Sequence, residues 1–271
     1  MLKVSACFFV FNEERVLPFS LASVYDFADQ IVVVEGAIKL FWHLATPEGS
    51  STDKTVEVIK GFPDPQGKIK LVQGEWNDKY QMENEYMKHA TGDWILVCAG
   101  DEVYDPEDLP KLREAVRQNP SLVDIRFPFV HYIWNENHVI TCMSPKPNLR
   151  DWMSRHQRFF RHPPGVKYRS SHSDVEDQNG IMLLMYPSGM RLWLPTMRVY
   201  HYGYCKSSDE IRQKLTFMCQ RDSVHVKHGY KTVEDYVLSH PYFSGKTDPR
   251  MAEQILPYKG KKLGIVRAET K

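Results

Sequence analysis

Asp101 and Glu102 follow the apolar run WILVC (Trp94 to Cys98), which reads as a buried strand. A carboxylate at a strand mouth is a good ligand for Mg2+ or Mn2+, hard cations that take oxygen donors, often one or two carboxylates with substrate phosphates. The same acids could instead cap the next helix or close a solvated turn. His201 stands in VYHYGY. Its neutral imidazole suits a borderline metal such as Mn2+, although a histidine among aromatics also packs as a core residue. Arg155, Arg158, Arg161, Lys167 and Arg169 crowd the segment RHQRFFRHPPGVKYR. Such a cluster grips phosphate or diphosphate, or else forms a solvated basic face. His172, Asp174, Glu176 and Asp177 follow directly, where a carboxylate or imidazole could take a proton from an acceptor hydroxyl, or simply line a polar loop.

Elements must position these groups. VSACFFV (Val4 to Val10), IVVV (Ile31 to Val34), Ile69 to Val72 and WILVC are short apolar runs rich in β-formers, each read as a strand. Between them lie helical patterns. Leu17, Leu21 and Val24 share one face, and Pro18 moves the start of that helix toward Leu17. Ser51-Thr52-Asp53 offers caps to a helix through Val56 and Ile59. Asp78 with Gln81 three residues on resembles a capping box before Met82, Tyr86 and Ala90. Four strands separated by three helices predict a parallel sheet covered on both faces. Ligands of such sheets bind beyond the carboxyl ends of the strands, where Glu35 and Asp101 stand. Further on, Pro106 to Gln118 reads as a helix, Val123 to Tyr132 and Arg191 to Tyr202 as strands, and Asp209 to about His228 as helix. The last forty residues are polar and loop-rich.

Composition narrows the classes. The chain has 271 residues, 42% hydrophobic and 25% charged, enough for a sizeable core. A net charge of +1 gives no general pull toward nucleic acid or anionic membrane. Five scattered cysteines without a CxxC pair read as free thiols in a reducing compartment. No signal peptide is visible, and no apolar stretch approaches the roughly 18 residues of a membrane span, so the expected location is cytoplasmic.

The motifs resemble family 2 glycosyltransferases of the GT-A fold, of bacterial or phage type. The resemblance rests on FFVFNEERVLPFSLASV, on IVVVEG with STDKTVEVI, on QMENEYMKHATGDWILVCAGDEVY, on RHQRFFR with YRSSH, and on HYGYCKSSDEIRQK, spread in order over residues 3 to 220. It implies an α/β, GT-A (Rossmann-like), mainly parallel sheet flanked by helices. The GT-A domain is expected over residues 1–205, with a donor half at about 1–105 and an acceptor half at about 106–205. Residues 206–271 form a helical C-terminal extension of it. The implied activity is metal-dependent, inverting transfer of a sugar from a nucleotide-diphosphate sugar, UDP-sugar favoured, to a glycan or other hydroxyl acceptor.

Carried over residue by residue, the resemblance assigns Asp101 and His201 to a Mn2+ or Mg2+ ion. Asn12, Glu13, Glu35, Asn84, Lys206 and Arg158 go to the donor, and Asp174 to the base, with His172 and Glu176 as alternatives. The chain departs from the pattern in four places. Ala99 stands for the first Asp of Asp-x-Asp, Glu35 for Asp, and Glu83 for the Arg usual beside Asn84. Residues 37–50 are inserted. Ala99 motivates a second reading, a non-catalytic nucleotide-sugar-binding module. The arginine-rich segment motivates a third, an enzyme acting on modified bases of phage DNA, which the near-neutral charge disfavours. A sugar nucleotidyltransferase would need a glycine-rich loop after the first strand, where this chain has FNEER.

Overall fold

The computed structural model describes residues 2–142, 157–170, 174–246 and 253–266. Contacts divide the chain into two compact units, Met1–Pro128 with Ser154–Val199, and Phe129–Met153 with Tyr200–Lys271. This partition is drawn elsewhere than a single cut near residue 205. The reason is strand pairing: a segment beyond residue 252 pairs with one that ends at Cys142.

The first unit begins with β1 (Val4–Val10), α1 (Leu17–Tyr25), β2 (Gln30–Glu35), α2 (Thr55–Gly61), β3 (Ile69–Gln73), α3 (Lys79–His89) and β4 (Trp94–Ala99). β1 and β4 are buried almost throughout, because a parallel sheet is covered on both faces. α1 starts at Leu17 with a proline in its first turn, where the missing N–H costs no helical bond, and it turns Leu17, Leu21 and Val24 inward. Asp78 caps α3 by accepting the N–H of Gln81 at 2.9 Å. The Gln81 side chain reaches back one residue further than a capping box requires, to the N–H of Asn77 at 2.7 Å.

The unit continues with β5 (Glu102–Tyr104), α4 (Pro110–Gln118) and β6 (Asp124–Arg126). α4 begins four residues later than the pattern predicts. Pro110 has no N–H to donate to a turn started at Pro106, so it opens the helix instead. Pro128 likewise ends β6 early and separates it from β7 (Phe129–Ile133), which pairs with β8 (Asn135–Cys142) in the second unit. Back in the first unit lie β9 (Phe159–Arg161), β10 (Lys167–Tyr168), β11 (Val175–Glu176) and β12 (Arg191–Trp193).

Among the described residues the main sheet runs β12-β6-β9-β4-β1-β2-β3. β1, β2, β3 and β4 are mutually parallel where they pair, and β9 is antiparallel to both β4 and β6. The chain winds from β1 outward to β3 and then returns to lay β4 on the other side of β1. That reversal opens a crevice at the carboxyl ends of β1 and β4. Cys7, Val32, Val34, Ile95 and Val97 form the core beneath it with Tyr86 and Phe160.

The second unit adds β13 (Val199–Tyr204), α5 (Ser208–Asp222), α6 (Val224–Lys227), α7 (Val233–Ser239), α8 (Pro241–Ser244) and β14 (Glu253–Pro257). Its strands run β14-β8-β7-β13. Ser207 and Glu210 close a full capping box at the head of α5. Ile133, Ile140, Ile211, Leu215 and Val237 pack with Tyr204, Tyr230 and Tyr236 in its core. No helix among the described residues is long and apolar enough to cross a membrane.

Candidate active site

The register puts three of the six expected donor residues, Asn12, Glu13 and Glu35, at the sheet edge where Asp101 stands. Val10 of β1 stands beside Glu35 of β2, and Phe9 beside Ala99 of β4. Asn12, Glu13, Glu35 and Asp101 therefore all issue from the carboxyl edge, on either side of the β1–β4 switch. Asn12 has φ +51°, a left-handed conformation that asparagine tolerates better than most residues. Its N–H donates to Ser51 Oγ at 2.9 Å, and its side-chain oxygen accepts from the N–H of Thr52 at 2.9 Å. Glu13 donates its N–H to Thr55 Oγ1 at 2.7 Å. A Cβ at Gly100 would come within 2.8 Å of Glu13 Cβ, so glycine lets the loop before Asp101 close onto Glu13.

Glu35 is fully buried. Its carboxylate accepts the N–H of Ser51 at 2.7 Å and the side-chain amide of Gln73 at 3.1 Å. It thereby ties the end of the 37–50 insert to the sheet edge. Asn84 makes a reciprocal pair with β10: its Nδ2 donates to the carbonyl of Tyr168 and its Oδ1 accepts the N–H of Tyr168, both at 2.9 Å. The side chain thus replaces a strand partner for Tyr168.

Beneath Asp101 lies a cluster of charges. Arg158 donates to Glu102 at 2.5 Å, with both side chains 4% exposed. Burial alone would depress the Arg158 guanidinium, but Glu102 together with Tyr104, Tyr168 and Tyr86 outweighs it and holds it above its usual value. Lys79, at the head of α3, sits 3.7 Å over the Phe9 ring. Burial lowers it to about 8, against the attraction of Glu83, Glu102 and Asp101. Glu83, one turn along α3, is fully buried and is raised to about 8 by desolvation, opposed by Lys79. Lys79 was not singled out by sequence reasoning. Its one signal was position, directly after the Asp78 cap.

The basic segment is dispersed by strand alternation. Arg158 turns inward to Glu102, Arg161 donates to the carbonyl of Pro120, and Lys167 stands 3.4 Å from Glu176 across the β10–β11 pair. Asp174 accepts the hydroxyl of Ser170 at 2.5 Å. His172 and Arg155 lie outside the described residues. In the second unit, His201 is half-buried and its Nδ1 lies 2.9 Å from Nδ1 of His131. The carbonyl of Lys206 accepts the hydroxyl of Tyr242 at 2.7 Å. Among the described residues, no three His, Cys, Asp or Glu side chains converge into a cage for a metal ion. Asp101 stands just beyond the end of β4. It fits an ion that takes a single protein carboxylate and completes its shell from phosphate oxygens and water.

A carboxylate at the switch point of a mainly parallel sheet, backed by cations, stands where α/β sheets of this kind bind their ligands. The chain belongs to glycosyl transferase family 2, whose family model matches residues 5–173. Its mixed sheet with flanking helices is the GT-A architecture that the motifs implied. A TPR repeat-containing protein of Synechococcus elongatus is 27% identical over 227 residues, 83% of this chain and 47% of that protein. The putative glycosyltransferase EpsE of Bacillus subtilis is 30% identical over 111 residues, 40% of this chain and 36% of that protein. The chain thus spans less than half the length of either relative. Among solved structures, S. aureus TarS 1–349 with UDP-GlcNAc is similar at a TM-score of 0.48 and 15% identity, over 89% of this chain and 73% of that one. Glucosyl-3-phosphoglycerate synthase of Mycobacterium tuberculosis, with Mn2+, UDP-glucose and phosphoglyceric acid, is similar at 0.37 and 13%, over 47% and 44%.

Proposed function

We propose that this chain transfers a sugar from a nucleotide-diphosphate sugar to an acceptor hydroxyl, with inversion at the anomeric carbon. The observation that carries the reading is Asp101 at the β1–β4 switch of a family 2 chain. The anomeric C–O bond to the diphosphate breaks as the acceptor oxygen attacks from the opposite face. The bonding pair leaves with the nucleoside diphosphate, and the acceptor proton passes to a base. Asp174 is the base we favour over Glu176 and His172, because its hydroxyl partner is neutral whereas Glu176 faces the Lys167 ammonium. Asn12 and Glu13 border the nucleoside, and Lys79 contributes positive charge at the same edge. When bound, a divalent ion at Asp101 supplies charge stabilisation for the departing diphosphate. UDP-sugars are the first donors to test.

Ala99 and the commitment of Glu102 to Arg158 favour one rival, a module that binds the donor without turning it over. One comparison separates the two. Asp101→Ala is expected to weaken Mn2+-supported UDP binding by about 100-fold or more, the scale of a lost charge interaction of roughly 3 kcal/mol, with the far-UV spectrum unchanged. Wild-type turnover of UDP-sugar above background excludes the module. Unchanged affinity in the variant, measured by calorimetry, removes Asp101 from the site.

A further inference from the structure

We infer that Asn84 and Tyr86 of α3 are positioning residues: they fix the β10–β11 hairpin, and through it the Asp174 carboxylate, in the first unit. The inference rests on the reading of Asp174 as the base. Each strand of this hairpin has two residues, and a two-stranded ribbon on its own is marginal even when longer. It needs outside partners, and the structure supplies them at facing residues. Tyr168 stands opposite Val175. Both backbone groups of Tyr168 are taken by the Asn84 amide at 2.9 Å, so α3 acts as a strand on the outer edge of β10. The Val175 N–H donates at 3.1 Å to Oε1 of Gln157, a fully buried side chain two residues before β9.

The Tyr168 side chain adds a third tie. Its hydroxyl shares a 2.6 Å hydrogen bond with that of Tyr86, and its ring meets those of Tyr86 and Phe160 edge-on at 5.9 and 6.0 Å. Tyr86 and Phe160 are themselves fully buried in the core beneath the sheet's carboxyl edge. Asp174 comes one residue before Val175. Its carbonyl accepts the N–H of Arg169 at 2.9 Å, and its carboxylate accepts the hydroxyl of Ser170 at 2.5 Å. The carboxylate therefore hangs from a short piece of chain whose place is set from α3 and β9. Asn84 was expected at the donor; each polar atom of its amide is engaged with the hairpin instead. Misplacing a reacting group by about 1 Å costs on the order of 100-fold in rate. A clamp that never touches the donor can thus govern turnover.

The test pairs turnover with hydrogen exchange on the full chain, for wild type, Asn84→Ala, Tyr86→Phe, Asp174→Asn and the double variant Asn84→Ala with Asp174→Asn. UDP-glucose and UDP-GlcNAc are the donor probes, with water as acceptor, and UDP binding with Mn2+ is read by calorimetry. Asn84→Ala is expected to lower kcat about tenfold or more and to leave donor KM and UDP affinity at wild-type values. Amide exchange in residues 167–176, read by mass spectrometry, should quicken about tenfold, the scale of one or two lost hydrogen bonds. Tyr86→Phe moves both readouts the same way by less, and it carries the test if the alanine variant does not fold. The double variant should turn over no more slowly than Asp174→Asn, because residues that act as one unit are not additive. The inference is overturned if the two losses multiply, or if Asp174→Asn turns over at the wild-type rate. It is also overturned if Asn84→Ala weakens UDP with exchange unchanged, the pattern of a donor ligand, or if Asn84→Ala and Tyr86→Phe, folded as wild type, both leave exchange unchanged. A wild type that releases no UDP from either sugar sinks the sugar-transfer reading instead; faster exchange with unchanged UDP affinity then still assigns Asn84 to the hairpin.

Discussion

Two buried glutamates, Glu102 in the first unit and Glu136 in the second, are satisfied in opposite ways. In the first, Glu102 meets the guanidinium of Arg158 at 2.5 Å. In the second, Glu136 meets neutral donors among the described residues: the hydroxyl of Tyr202 at 2.9 Å and the N–H groups of Gly264, Ile265 and Val266 at 2.8, 2.7 and 3.3 Å. A charge offset by a charge depends on the state of its partner. A charge offset by peptide dipoles depends on the path of the chain that brings them. The first arrangement suits a site where charge changes as ligand binds, and the second anchors a returning segment.

The largest expected effect comes from breaking the charge pair. Arg158→Ala leaves Glu102 buried without its cation and is expected to destabilise the first unit by about 3–5 kcal/mol. Arg158→Met with Glu102→Leu should recover most of that loss, because neither charge is then buried. Urea unfolding of the three proteins checks this, and equal losses in the single and double variants would mean that the pair matters for shape alone.

Glu136→Ala is expected to cost less, about 1–3 kcal/mol, since the freed peptide N–H groups can turn to water. Its particular sign is early proteolysis between residues 258 and 266, read by mass spectrometry. Cleavage kinetics unchanged from wild type would show that dipoles at Glu136 do not hold that segment.

A third comparison is one of pH. Burial raises Glu83 to about 8 from its usual 4.5. The folded protein keeps that proton while the unfolded chain loses it, so stability present below pH 4.5 declines as pH rises toward 8. Glu83→Gln cannot ionise and should remove this decline, gaining about 1 kcal/mol or more over wild type at pH 7. Melting curves across pH 4–8 that run parallel for the two proteins would contradict it. The smallest effect is local. Ser207→Ala removes the cap of α5 and should cost about 1 kcal/mol in thermal unfolding, with ligand binding unchanged.

Much of the fold was legible in residue type and spacing. Runs of β-branched and aromatic residues marked β1, β2 and β4, because a strand buried on both faces admits little else. Pro18 and Asp78 marked helix starts, because a missing N–H and a capping carboxylate act within one turn. Strand ends marked Glu35 and Asp101 as neighbours at one edge. All of these rest on interactions between residues close in the chain, or on the period of a single element.

The tertiary structure alone decided what each polar side chain meets. Arg158 looked like one of five cations ready for phosphate, yet it pairs with Glu102, 56 residues away. Asn84, expected at the donor, pairs with the backbone of Tyr168, 84 residues on. His201 meets His131 across 70 residues, and Glu136 meets Gly264 across 128. A linear pattern records which face a side chain occupies. It does not record which distant group folding brings to that face, and the free energy of a buried charge is set by that group.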